Sequence, residues 1–139
     1  MHRRRFVTLG AVGLGAWVSG CLSATAEPTP TSICRLGIDN HYRDAVAIET
    51  RLSRDETAVF RRIDTVGAER YLDITGELPD GPGAFLLEMR IVGGEWTEMN
   101  TAEFAAEQVS AVGRIERDRD TASPMLSIWR SFAPAACEQ

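Results

Sequence analysis

The chain contains no lysine: all fifteen of its basic residues are arginine. Histidine is nearly as scarce, with only His2 and His41, and His2 lies in a segment that reads as removable. A single retained imidazole excludes the two-histidine copper site of cupredoxin-type sandwiches and the usual histidine-bearing zinc sites. No Asn-x-Ser/Thr acceptor occurs, because "NHY" begins at Asn40 and "NTA" at Asn100. No apolar run reaches the roughly 20 residues that a bilayer core requires. No serine stands in a nucleophile-elbow context, so His41 reads as a polar residue at a strand end rather than a member of a triad. Long helical periods and internal repeats are also missing, which disfavours an α/β fold.

What is present begins with "MHRRRFVTLGAVGLGAWVSGC". Three arginines precede an apolar stretch, Phe6 to Val18, that is too short and too glycine-rich to span a membrane and has the flanks of a removable export signal. Arg3, Arg4, Phe6 and Val7 match the Arg-Arg-x-Phe pattern of a twin-arginine (Tat) signal. Val18, Ser19, Gly20 and Cys21 match a lipobox, in which small residues let the peptidase approach the backbone and the cysteine sulfur takes the lipid. Residues 1–20 are therefore expected to be the signal, with Cys21 as the lipidated first residue of the mature chain. Without Arg3, Arg4 and Arg5 the formal charge moves from -5 to -8. So acidic a chain, with its remaining arginines interleaved with acids as in "RDRD", is a poor partner for nucleic acid.

Together the Tat signal, the lipobox and the lysine-free acidic remainder resemble the small Tat-exported lipoproteins of halophilic archaea. In molar salt the Debye length falls to about 3 Å, so an excess of carboxylates costs little stability. The resemblance implies a folded domain held on the extracytoplasmic face of the membrane by lipid at Cys21. Two acyl chains would be needed for a stable tether. The following "LSATAEPTPTS" has no apolar period and reads as a linker over 21–32, stiffened by Pro28 and Pro30.

From Ile33 the period becomes two. "ICRLGIDN" places Cys34, Leu36 and Ile38 on one side, and "AVAIETRL" places Val46, Ile48 and Leu52 inward against Ala47, Glu49 and Arg51 outward. "TAVFRRID", "RYLDITGEL", "GAFLLEMRIV", "QVSAVGRIERD" and "MLSIWRSF" continue the pattern, with turn residues between them. "NTAEFAAEQ" reads as the start of a short helix capped by Asn100 or Thr101. About seven strands at this spacing predict an immunoglobulin-like β-sandwich over 33–139. Cys34 and Cys137 bracket the domain and, outside the cytoplasm, are expected to form a disulfide.

Candidate chemistry is sparse. Glu88, Glu95, Glu98 and Glu103 lie close in sequence but read as a solvated face rather than a glycosidase pair. Glu116, Asp118 and Asp120 could hold calcium, yet Arg117 and Arg119 alternate with them and favour a salt-bridged turn. Trp96, Trp129, Tyr42 and Tyr71 are contact candidates whose commoner role in sandwiches is packing. The expectation is a non-catalytic module for binding or structural interaction with an unidentified protein or small molecule. It carries no metal or cofactor. The alternative is a ligand- or metal-carrying accessory of an exported transport or electron-transfer system.

Overall fold

Alternating apolar residues leave each strand one face to bury, and two sheets meeting on those faces satisfy all of them. A computed structural model describes residues 29–138; the signal residues Arg3, Arg4 and Phe6 and the lipobox residues Val18, Ser19, Gly20 and Cys21 lie outside them. Eight strands are present: β1 (Ser32–Asn40), β2 (Val46–Arg54), β3 (Thr57–Val66), β4 (Tyr71–Asp73), β5 (Phe85–Ile91), β6 (Thr97–Asn100), β7 (Gln108–Arg117) and β8 (Pro124–Ser131). They form two four-stranded sheets, ordered β4-β1-β7-β8 and β3-β2-β5-β6. The protein is an all-β sandwich.

Between the sheets lie Leu36, Ile38, Ile48, Leu52, Phe85, Leu87, Met89, Val109 and Ile115, all essentially inaccessible to solvent. Gly113 of β7 faces Met89 across the core so closely that a methyl group there would press on its sulfur. Asn40, also buried, ends β1 by donating to the carbonyls of Asp44, Val66 and Gly67 at 3.0–3.1 Å and accepting from the Tyr42 amide at 2.8 Å. One amide thus ties the first sheet to the end of β3. Tyr42 is buried as well, and its hydroxyl donates to the Ala122 carbonyl in the β7–β8 turn.

Several sequence expectations are adjusted. Cys34 does not share the core side with Leu36 and Ile38; the register against β7 slips between Ile33 and Arg35, and Ile33 takes the buried place. The slip is a β-bulge, which inserts an extra residue and reverses the phase of the alternation before it. Half-buried Cys34 is bonded to Cys137, with Cα atoms 5.5 Å apart across 103 residues of sequence. The additional strand is β6, whose sequence TEMN has a single buried apolar residue, Met99, and is too short to display a period. Past Asp73 the "RYLDITGEL" strand gives way to a 3₁₀ turn, Thr75–Glu77, because Asp73 accepts hydrogen bonds from both the hydroxyl and the amide of Thr75. Similarly, the helix expected after Asn100 is one 3₁₀ turn, Thr101–Glu103, with the Asn100 side chain capping the Ala102 amide. Hydrogen bonding of the domain already begins at Thr31, which pairs with Gly83.

At one open side of the sandwich, edge strand β3 turns Arg62 and Asp64 inward. They form a two-pronged ion pair at 2.7 and 2.8 Å, and Glu77 lies 3.5 Å from the same guanidinium. Inward charge on an edge strand discourages addition of a further strand.

Candidate functional site

On the outer face of the second sheet, Glu49 occupies the outward position that alternation assigns to it, yet it is only 1% exposed. Its neighbours account for this. Arg90, directly across on β5, donates through Nε and Nη2 to one carboxylate oxygen at 2.8 and 2.7 Å. Arg61 of β3 pairs closely with the other oxygen, and Arg51, two residues along β2, lies 3.7 Å from it. Above these guanidiniums lies the indole of Trp96, its ring centre 4.0 Å from Arg51 and 4.5 Å from Arg90. The result is a stack of carboxylate, arginines and indole. Burial pushes the Glu49 carboxyl up, but the hydrogen bonds and charges of Arg90 and Arg61 outweigh it and hold the group below the usual carboxylate range.

The stack fixes side chains that would otherwise be mobile. A guanidinium sandwiched between a carboxylate and an aromatic ring loses its rotamer freedom before any partner arrives. Arg51 and Arg61 nevertheless remain 36% and 60% exposed. A shallow groove of about 350 Å³ runs beside them, lined also by Ala58, Val59 and Glu88.

Strand pairing arranges the charges of this face in an unusual order. Arg61 is opposite Arg51, Arg51 opposite Glu88, and Glu88 opposite Glu98. One row across the sheet therefore reads plus, plus, minus, minus. Like charges directly opposite one another destabilise a sheet, and alternating signs would stabilise it. Glu88 and Glu98, noted in the sequence for their proximity, are thus brought together as cross-strand neighbours.

The outer face of the first sheet has a different construction. Tyr71 lies over Gly37, where a side-chain carbon would collide with the ring, and Arg35 Nε donates to its hydroxyl at 3.2 Å. Trp129, 54% exposed, donates through its indole nitrogen to Ser127 Oγ at 2.9 Å, and Arg114 covers one ring face at 4.7 Å. Arg114 meets Glu116 at 2.8 Å, and His41 lies 2.7 Å from Asp39.

Of the other candidates, Asp118 is occupied by the turn, accepting from the Asp120 amide. The partner of Glu116 is Arg114 rather than Arg117 or Arg119, because Arg114 shares its face two residues away. Glu95 and Glu103 stand apart from the Glu88–Glu98 row, in the β5–β6 turn and the 3₁₀ turn respectively. Among the described residues no group of three His, Cys, Asp or Glu is placed to hold a metal ion, and no helix is long and apolar enough to cross a membrane. Sequence reasoning missed the role of Glu49, Arg61 and Arg90. The available signal was an acid at an outward strand position with arginines at outward positions of two other strands, and only the register unites them. Comparison with known proteins adds no family: no family model, curated protein or solved structure matches the chain.

Proposed function

We propose that this protein is a non-catalytic module for binding or structural interaction, anchored by lipid at Cys21 on the extracytoplasmic face of the cell membrane. Its contact surface is the outer face of the second sheet. One observation carries the reading: the row Arg61, Arg51, Glu88, Glu98 lies on the outer face and is segregated by sign, with Arg61 and Glu98 exposed and Arg51 and Glu88 half-buried, an order that suits a partner of opposite order. Rigid arginine beside tryptophan is also the composition of interface hot spots. The location is supported by the Tat pattern at Arg3, Arg4 and Phe6, by the lipobox ending at Cys21, and by a Cys34–Cys137 bond of the kind that persists in oxidising compartments.

The test is the intact mass of the full chain recovered from its own membranes. The expected product begins at Cys21 and carries two acyl chains, and Cys21→Ala sheds it into the medium. A molecule that retains Met1, or one found free in the cytosol, contradicts the reading.

A further inference from the structure

The sign-segregated row is self-complementary, and from it we infer that the partner of this face is a second copy of the same chain. The inference deepens the reading above, since it rests on the outer face of the second sheet being the contact surface. Consider a two-fold axis lying in the interface, parallel to the strands and passing between β2 and β5. It sets each residue against the one equally far on the other side of the axis. Arg61 (β3) then faces Glu98 (β6) of the second copy, and Arg51 (β2) faces Glu88 (β5). Every charge of the row meets its opposite twice over, as an isologous interface requires.

The adjacent row obeys the same rotation. Ile63 of β3 stands opposite Glu49, and Glu49 opposite Arg90, with Trp96 immediately before β6 beyond them. The two-fold carries Ile63, 60% exposed, toward the side of the other copy on which Trp96 precedes β6. The four strands of this sheet hold 10, 9, 7 and 4 residues; at about 3.4 Å per residue and about 4.8 Å per strand they offer on the order of 500 Å² per copy. That lies at the threshold of a specific interface, so the pairing is weak, charge-dependent and sensitive to salt.

The choice of axis has a second consequence. A two-fold running across the strands would set Arg51 and Arg61 on their own counterparts and is repulsive. The permitted axis, running along the strands, leaves the start of β1 at the same end in both copies. Two linkers can then lead to Cys21 anchors in one membrane. Co-anchoring raises the effective concentration of each copy at the other, which compensates for a small interface.

Charge exchange by mixing tests the inference. The full chain, in detergent at the lowest salt that retains the fold, is examined by sedimentation velocity as wild type, as Arg51→Glu and as Glu88→Arg. Wild type is expected to dimerise, and each variant alone to lose at least tenfold in association, because the centre of its row repels itself. Mixed in equal amounts, the two variants should recover a heterodimer, since the row of one is then complementary to that of the other at all four positions. A merely structural role for Arg51 or Glu88 would not produce rescue on mixing. Wild type that stays monomeric at the highest attainable concentration overturns the inference, as do variants that self-associate like wild type or a mixture that remains monomeric. An unlipidated chain that still passes the mixing test removes the anchor and leaves the dimer. A lipidated chain that fails it removes the dimer and leaves the anchored module.

Discussion

The two sheets are assembled from different kinds of neighbour. In the second sheet β2 and β3 form one hairpin, β5 and β6 another, and the hairpins meet through β2 and β5. In the first, β1 lies parallel to β7, so that Ser32 sits beside Gln108 and Asn40 beside Ile115. Loop closure between such distant segments costs entropy before any contact forms. Only this sheet holds a covalent staple among the described residues, Cys34–Cys137, which ties the bulged start of β1 to the turn after β8. The second sheet has instead the ionic stack around Glu49. Distant strands are joined here by a bond that restricts the unfolded chain, and local hairpins by contacts that act in the folded state alone.

Reduction separates the two devices and has the largest expected effect. Losing a bond that closes so long a loop should cost about 2–5 kcal/mol, seen as a lowered Tm. Hydrogen exchange should rise first in β1 and β7, with the β2–β3 and β2–β5 amides protected for longer. Equal loss of protection in both sheets would show that the staple serves the whole domain rather than its non-local half.

The ionic device comes second. Arg90→Ala leaves the carboxylate of Glu49 covered but short of its two-donor partner, and Tm should fall by roughly 10 °C at neutral pH. Acid sharpens the comparison, because each sheet has one carboxyl held below its usual range. On the second sheet this is Glu49, with burial opposed by Arg90 and Arg61; on the first it is Asp73, through the hydroxyl and amide of Thr75. A carboxyl lowered in the folded state contributes stability above its unfolded value near about 4, and that stability is lost as pH falls through the folded value. Melting curves from about pH 7 to pH 3 should therefore descend for wild type. For Glu49→Gln they should descend less, the remaining slope including Asp73. An unchanged slope in Glu49→Gln would mean that the stack does not govern acid stability.

The same contrast explains what could be read in advance. Ile38, Ile48, Leu52, Phe85, Leu87 and Met89 declare their sides by alternation, a property of single strands, and all are buried as expected. The phase of Cys34 and the existence of β6 depend on a bulge and on a neighbouring strand, which a single segment does not encode. The bond between Cys34 and Cys137 was legible from cysteine number and expected compartment, without any knowledge of strand order. Glu49 was assigned the correct side but not its burial, because what covers it comes from β3, β5 and Trp96. The plus-plus-minus-minus order follows from register alone. Residue types pointed to a charged face; their sequence across the sheet needed the structure.

Thr50 gives the smallest and cleanest test, because it is the next residue after Glu49 and points the other way. Glu49, outside, has both carboxylate oxygens within ion-pair distance of an arginine. Thr50, on the core side between Arg62 and Met89 in the pairing, is fully buried, and its hydroxyl has no hydrogen-bond partner among the described residues. A buried unsatisfied hydroxyl costs on the order of 1 kcal/mol or more, and replacing it by a methyl removes the cost without opening a cavity. Thr50→Val should therefore raise stability by about 1 kcal/mol, or some 4–8 °C in Tm for a domain of this size. Thr50→Ser keeps the hydroxyl, deletes the methyl and should lower it by a similar amount. If valine instead lowers Tm, the hydroxyl has found a partner such as an internal water, and burial without compensation is wrong for the inner side of β2.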